Sequence, residues 1–196
     1  MEKSPSPEIL TLAATCAYNL YNLSLALHYC HVLYRIDPLC SKAAHTQIAI
    51  LTGLGHNRPL FRLTHALGDA DPKSAMAWYA VGWYYYTCGR LDLAQRHLCR
   101  ATSLDERSAE CWVAFGYAFA SCDEHDQANA CFCDAQRLYL GSHYPMIYMD
   151  MEHLKTNTIP LAGYFLNSAR SMGKVILCAV TSLGFVRTER KTGLKQ

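Results

Sequence analysis

The sequence predicts an all-α chain of about five helical hairpins stacked in register, and three observations support this. The window W-Y-A-V-G-W-Y-Y, which begins at Trp78, returns as W-V-A-F-G-Y-A-F at Trp112. Alanine occupies two further matching positions after each window, namely Ala94, Ala101, Ala128 and Ala135. Only 17% of residues are charged and 51% are hydrophobic. A period of about 34 residues indicates hairpins that bury their apolar faces only against neighbouring hairpins.

The period divides the chain into five repeats, taken here in order: 7–40, 41–74, 75–108, 109–142 and 143–176. The first two repeats end near the pairs Asp37-Pro38 and Asp71-Pro72, where proline stops a helix. Ser74, Ser108 and Ser142 stand at the repeat boundaries and are candidate N-caps for the helices that follow. We expect residues 1–6 to be a disordered N-terminus and 177–196 a divergent tail.

The units have the pattern of tetratricopeptide repeats, so we predict a tetratricopeptide-repeat solenoid with a right-handed superhelix. The match is strongest in repeats three and four. Ile48 stands where a small residue is expected in repeat two, and Asp150 where glycine is expected in repeat five. Because small residues let the two helices of a hairpin approach closely, these two repeats should pack less regularly.

Charge and composition favour an intracellular protein that binds proteins. The formal charge is +2 and no dense basic block precedes the tail, which argues against nucleic-acid binding. No stretch reaches the ~18–20 apolar residues of a membrane span, and the polar N-terminus has no signal-peptide core.

The ten cysteines allow two further hypotheses, a disulfide framework and a metal site. Disulfide frameworks belong to short secreted chains, and this sequence has neither a secretion signal nor a loop-rich composition. A metal site is disfavoured because no C-x-x-C occurs. His28 and His31 could share one ion, but no further ligands accompany them at recognisable spacing. We therefore expect no metal or cofactor, with cysteines packing as small apolar side chains inside helices: Cys30, Cys99, Cys111 and Cys131.

A cluster of acidic residues and histidine, Asp123 to Asp126, could be interpreted as an acid–base site. The repeat register places it in the turn between the helices of repeat four, where a solvated charged turn is the more common outcome. No nucleophile elbow or phosphate-binding loop accompanies it. We predict a protein that is not an enzyme, in which His125 and Asp126 can be replaced with little effect.

The first helix of each repeat lines the inner groove, and its groove positions here are apolar and aromatic. The predicted partner-binding residues are Tyr79, Trp83, Tyr86, Val113, Tyr117, Ile147, Met151 and Leu154. An exposed apolar row normally marks a binding surface, although burial against neighbouring hairpins would explain the same residues, Val113 and Ile147 in particular. No lysine, arginine or asparagine occupies the fifth or ninth position of any repeat, so an apolar segment is a better ligand than an acidic tail.

Several segments resemble the tetratricopeptide scaffold subunits of the anaphase-promoting complex, of the cell-division-cycle-sixteen type. They are Ser74–Tyr85, Leu93–Asp105, Glu124–Ala128, Tyr144–His153 and Leu161–Ala169. The resemblance covers roughly residues 9 to 170, with Asp150 and His153 departing from the family's glycine and tyrosine.

The resemblance implies a non-catalytic scaffold of a cell-cycle ubiquitin ligase, found in the nucleus and cytoplasm. Its implied partners are other subunits of that complex, with a small accessory subunit held in the groove of the C-terminal repeats. The alternative is an unrelated tetratricopeptide adaptor that binds an apolar peptide or helix. We expect the resemblance to end at Arg170, and removal of residues 175–196, with the apolar run Val175–Val180, to leave thermal stability unchanged.

Overall fold

The computed structural model describes residues 6–20, 22–36, 41–140 and 142–172, and all regular structure within them is helical. The predicted N-terminus 1–6, apart from its last residue, and the predicted tail 177–196 lie outside the described residues. Ten helices occupy the described part of the chain: α1 (Pro7–Asn19), α2 (Leu23–Ile36), α3 (Ser41–Leu54), α4 (Asn57–Ala70), α5 (Ala75–Thr87), α6 (Leu91–Leu104), α7 (Ala109–Ser121), α8 (His125–Leu138), α9 (Tyr144–Lys155) and α10 (Ile159–Met172). The prediction of an all-α fold is confirmed.

The helices form two compact units, Met1–Glu106 with α1 to α6 and Arg107–Gln196 with α7 to α10. Within each compact unit, consecutive helices pack side by side. The second helices of the hairpins begin at Leu23, Asn57, Leu91, His125 and Ile159, always at the spacing that separates Trp78 from Trp112. In the described part of the chain, no helix has the length and apolar character needed to cross a membrane.

The turn inside a hairpin requires a left-handed residue at one fixed register. Gly55, Gly89, Asp123 and Asn157 have φ values of 68°, 75°, 62° and 58°, and they recur at the same period as the helices. Glycine adopts this conformation without steric cost, and aspartate and asparagine tolerate it better than other residues. The turn therefore ends each of these first helices by the same local geometry.

Two of the three predicted N-caps are present. The Ser74 hydroxyl accepts a hydrogen bond from the backbone N–H of Met76, and Ser108 does the same for Cys111. The prediction for Ser142 is wrong, because α9 begins one residue late and its N-cap is His143, whose side chain makes no capping bond. Pro145 lies in the first turn of α9, where its missing N–H removes one donor that a cap would otherwise satisfy.

The small residues of the first helices permit close approach, as expected. A methyl group built on Gly82 would lie 2.5 Å from Leu98 Cγ, and one built on Gly116 would lie 2.5 Å from Phe132 Cε1. Leu98 and Phe132 are buried completely or nearly so. At the same register of the fifth hairpin, Asp150 replaces glycine and Leu166 is only half-buried.

Candidate protein-binding surfaces

The predicted groove residues of the first compact unit form the α5 aromatic face, which consists of Tyr79, Trp83 and Tyr86. Their spacing of four and three positions places them on one side of the helix. Tyr79 is only 5% exposed, and its ring meets the His45 ring edge-on at 4.7 Å. Trp83 and Tyr86 are half-buried, with their ring centroids 5.2 Å apart. Tyr79 therefore belongs to the core beneath this face, while Trp83 and Tyr86 keep part of their surface accessible.

The groove residues of the second compact unit form the α7–α9 apolar face, which consists of Val113, Tyr117, Ile147, Met151 and Leu154. Ile147 is 6% exposed and belongs to the core, whereas Leu154 is 55% exposed. The other three side chains are half-buried. The surface available for contact is thus graded along α9, from the buried Ile147 to the open Leu154.

Tyr117 is fixed in place by rings from two neighbouring helices. Its ring centroid lies 4.6 Å from that of Tyr148 on α9 and 6.1 Å from that of Phe132 on α8. Aromatic pairs at these distances contribute about 0.5–1.5 kcal/mol beyond area burial. Tyr117 consequently has a packing role as well as the proposed binding role.

The groove positions of the first hairpin provide no charge for an ionic ligand. The Thr11 hydroxyl donates to the Pro7 carbonyl at 2.6 Å, and the Thr15 hydroxyl donates to the Leu12 carbonyl at 2.8 Å. Both hydroxyls are therefore directed at their own helix.

The structure places the acid–base cluster differently from the sequence prediction. Asp123 lies in the turn and Glu124 is the N-cap residue of α8, but His125 is in the first turn of the helix and is half-buried. His125 Nδ1 lies 2.7 Å from Glu152 Oε2 on α9, and Lys155 Nζ donates to Glu152 Oε1 at 2.6 Å. The prediction that His125 is a solvated turn residue is wrong, because the packing of α9 on α8 brings a carboxylate onto its ring.

Glu152 is a residue that the sequence analysis missed. It is only 4% exposed and lies 27 residues from His125 along the chain. A buried carboxylate is tolerated when a cation and hydrogen bonds satisfy it, and here Lys155 supplies the cation. No local motif signals the pairing, since it depends on which faces of α8 and α9 meet.

Three of the four cysteines predicted to pack as apolar side chains are buried. Cys30, Cys111 and Cys131 are buried, and burial raises the pKa of the Cys30 thiol to about 11. The prediction that Cys99 packs as an apolar side chain is wrong, because it is exposed to solvent on α6. Within the described ranges, no group of three or more histidine, cysteine, aspartate or glutamate side chains is arranged to hold a metal ion.

A second feature missed from sequence is a stack of rings on the third hairpin. The His97 ring lies nearly parallel to Trp78 on one side and to Tyr85 on the other, at centroid distances of 5.5 and 5.2 Å. The Arg100 guanidinium lies 4.0 Å above the Trp78 ring, and Trp78 Nε1 donates to the Pro72 carbonyl. Burial, and to a lesser extent Arg100, lowers the pKa of His97 below its ordinary value.

We expect His97→Phe to reduce the loss of folded-state stability that occurs when the pH is lowered. Since the pKa of His97 is lower in the folded chain, the unfolded chain binds more protons once the pH falls to about 6.5. His97 therefore contributes stability that is present above that pH and lost as the pH falls through its folded-state pKa. Phenylalanine keeps a ring in the stack but does not titrate. The check is the difference in unfolding midpoint between pH 7.5 and pH 5, which should be smaller in the variant; an unchanged difference would contradict the assignment.

The repeated hairpins, the close-approach glycines and the apolar faces together define a tetratricopeptide-repeat protein. No protein-family model matches the chain. Over nearly all its length, however, the chain is homologous to the CDC16/Cut9 subunits of the anaphase-promoting complex. It is 32% identical over 191 residues to the human "Cell division cycle protein 16 homolog", covering 95% of this chain and 31% of that protein. It is 29% identical to the fission-yeast "Anaphase-promoting complex subunit cut9", covering 79% of this chain and 23% of that protein.

Solved structures agree with this relationship. The crystal structure of the Cut9–Hcn1 hetero-tetramer matches 85% of this chain and 32% of its own chain, with a TM-score of 0.82 and 28% identity. A tetratricopeptide protein of Thermus thermophilus, TTC0263, matches 90% of this chain and 98% of its own, with a TM-score of 0.73 at 17% identity, which supports the fold alone. The chain spans about a third of the length of the human relative and a smaller share of the others.

The homology also extends further than the sequence analysis expected. Because 95% of the chain aligns with the human protein, about ten residues at most lie outside the alignment. The alignment therefore passes Arg170 and includes residues up to about 186. The prediction that the resemblance ends at Arg170 is wrong.

Proposed function

We propose that the chain is a non-catalytic scaffold that holds other proteins in an anaphase-promoting complex. The observation that carries this proposal is the homology to CDC16/Cut9 subunits across 95% of the chain. The fold supports it, since stacked hairpins present extended surfaces instead of a closed pocket. As a component of that ligase, the chain would act in the nucleus and the cytoplasm during cell division.

A non-catalytic role is consistent with the chemistry of the described residues. The one cluster of histidine and carboxylates singled out from the sequence has a structural task, because His125 and Lys155 both contact Glu152 and join α8 to α9. Ubiquitin transfer would then belong to other subunits of the assembly.

Two surfaces are proposed to contact partners: the α5 aromatic face and the α7–α9 apolar face. The accessible apolar area of these faces is carried by one exposed residue, Leu154, and by the half-buried Trp83, Tyr86, Val113, Tyr117 and Met151. Tryptophan and tyrosine are enriched among residues that dominate binding energy. An apolar segment of a partner subunit fits these faces better than an acidic tail does, since their side chains are uncharged.

The second candidate is an adaptor outside the ligase that binds an apolar peptide. The same two faces favour it, since their chemistry would suit any apolar segment. Affinity purification of the full chain, followed by mass spectrometry, separates the two functions. We expect subunits of the anaphase-promoting complex to be recovered in comparable amounts to one another. Recovery of a single unrelated protein would support the adaptor, and would contradict the scaffold proposal.

Trp83→Ala and Leu154→Ala should each weaken binding of the recovered partner without unfolding the chain. Truncating a central aromatic anchor commonly costs about 2 kcal/mol or more of binding free energy, and we expect this for Trp83. The measurement is titration calorimetry with the partner, accompanied by the unfolding midpoint of each variant. Tyr164→Ala is the matched control, because Tyr164 is 65% exposed on α10 and belongs to neither face.

Raised salt should change this affinity little, because neither face contributes a charge. A steep loss of affinity with salt would instead indicate an ionic ligand.

A further inference from the structure

Helix α4 presents to solvent a row of basic and aromatic side chains that its own packing does not use. Its buried side consists of Leu60, Leu63, Thr64 and Leu67. The other side carries four exposed residues, here called the α4 outer row: Arg58, Phe61, Arg62 and His65. Their spacing of three and four positions places them along one stripe of the helix.

The charges of this helix oppose its own dipole. Arg58 lies in the first turn, which contains no acidic residue, and Asp69 lies in the last turn, which contains no basic residue. A helix is stabilised by the reverse arrangement, because its N-terminus is the positive end of the dipole. Arg58 and Arg62 are also one turn apart, where two like charges repel. Helix stability therefore does not account for the positive charge at Arg58.

The two arginines have no carboxylate partner in the described part of the chain, where the ion pairs all lie on α8 and α9. At the position of Arg58, the next two hairpins have aspartate instead, Asp92 in α6 and Asp126 in α8. In α6, Asp92 precedes Arg96 by one turn, which is a favourable order of charges in a helix. The positive charge of the α4 outer row is thus available to an external anion.

Phe61 provides an apolar contact beside these charges. Its ring centroid lies 4.3 Å from that of His65 on the same helix and 5.3 Å from that of Tyr84 on α5. Although both rings hold it, Phe61 is 44% exposed. A ring that is already held in place loses little conformational freedom when a partner covers it. Tyr84 does not belong to the α5 aromatic face, so this surface is separate from the two faces proposed above.

The spacing of the two arginines fits carboxylates on an extended peptide. Residues four apart in a helix are separated by about 6 Å along its axis. Residues two apart in an extended chain are separated by about 6.6 Å and point to the same side. Each guanidinium can bind one carboxylate through two parallel hydrogen bonds. A nucleic acid is a poorer fit, since a protein that binds one typically contacts about six to ten phosphates and the row has two arginines.

We propose that the α4 outer row binds an extended acidic segment of a partner protein. Carboxylates at alternate positions of the segment pair with Arg58 and Arg62, and an adjoining apolar side chain covers Phe61. This inference does not depend on the proposed function, because it concerns a surface outside both apolar faces. Binding at this surface is weakened by salt, in contrast to binding at those faces.

The test uses the full chain and a fluorescein-labelled synthetic peptide, in which two glutamates are separated by one residue and flanked by leucine. A second peptide has glutamine in place of both glutamates. Fluorescence anisotropy should show binding of the glutamate peptide, and binding of the glutamine peptide about tenfold weaker or more. No binding of the glutamate peptide, or equal binding of the two peptides, would overturn the proposal.

Arg58→Asp is the decisive variant, because it recreates in α4 the arrangement of Asp92 and Arg96. We expect it to weaken binding of the glutamate peptide about tenfold or more. The unfolding midpoint should stay the same or rise, since the new charge suits the helix dipole and attracts Arg62. Phe61→Ser should weaken binding about threefold or more, because it removes the apolar contact. Unchanged affinity in either variant would contradict the role given to that residue.

Arg96→Asp is the matched control, since Arg96 is exposed on α6 at the register of Arg62 and the change in charge is the same. It should leave the affinity for the glutamate peptide unchanged. A loss as large as that of Arg58→Asp would overturn the proposal, because it would show attraction to the overall charge of the chain. An oligouridine probe that binds more tightly than the peptide would also overturn it, in favour of a nucleic-acid surface.

Discussion

Replacing Gly116 by alanine will lower the free energy of unfolding by about 1–3 kcal/mol, and Gly82→Leu will lower it further. The added Cβ at Gly116 would lie 2.5, 2.8 and 2.9 Å from three atoms of the Phe132 ring. That ring is only 1% exposed and is surrounded by the core, so it has little space into which it can move. The helices α7 and α8 must separate, and contacts along the hairpin weaken. Chemical denaturation monitored by circular dichroism measures the loss.

Gly53→Ala is the matched control, because glycine there is also helical but nothing lies within 4 Å of the added Cβ. Alanine at such a position is favoured by about 0.5–1 kcal/mol over glycine, so the control should be neutral or stabilising. Adding Phe132→Leu to Gly116→Ala removes the ring and should recover part of the loss. A Gly116→Ala variant as stable as the Gly53→Ala control would show that the two helices do not approach as closely as described.

Removing both hydrogen-bonding partners of Glu152, His125 and Lys155, should have the second large effect. In the double variant His125→Ala with Lys155→Ala, a carboxylate that is 4% exposed loses both the partner on α8 and the partner on its own helix. Leaving a buried charge without a partner costs about 3–5 kcal/mol. We expect the free energy of unfolding, measured by denaturant titration, to fall by this amount. The slope of the unfolding free energy against denaturant concentration should not change.

Asp126→Ala provides the comparison, since Asp126 is exposed in the same first turn of α8. Surface substitutions of this kind usually change stability by about 0.5 kcal/mol or less. Equal, small effects for the double variant and for Asp126→Ala would mean that the contacts of His125 and Lys155 with Glu152 contribute nothing to the packing of α9 on α8.

Much of the fold is predictable because its signals are local. The repeat period, the small residues of the first helices and the turn residues each act within one hairpin. Gly89 and Asp123 favour the left-handed turn through their own backbone energetics, whichever helices surround them. Ser74 and Ser108 cap helices that begin at the next residue. A single sequence contains all of this information.

The binding surfaces are predictable only in part. The position of each residue in its helix identified a row of apolar side chains. It did not show how much of each side chain is buried by neighbouring helices. Tyr79 and Ile147 are core residues, while Leu154 at the same kind of position is open. Coverage depends on the size of residues on neighbouring helices, such as the His45 ring over Tyr79. The same limit explains the exposed Cys99 on α6.

The sequence by itself determined that this protein is a series of tetratricopeptide hairpins, where most of its helices begin, and its resemblance to CDC16-type subunits. Only the tertiary structure decided that His125 pairs with Glu152 and that His97 stacks between Trp78 and Tyr85. The physical reason is the distance along the chain over which each kind of interaction acts. Backbone conformation follows from neighbours within one helical turn, whereas a contact between side chains on two helices depends on how those helices cross and which rotamers fit between them.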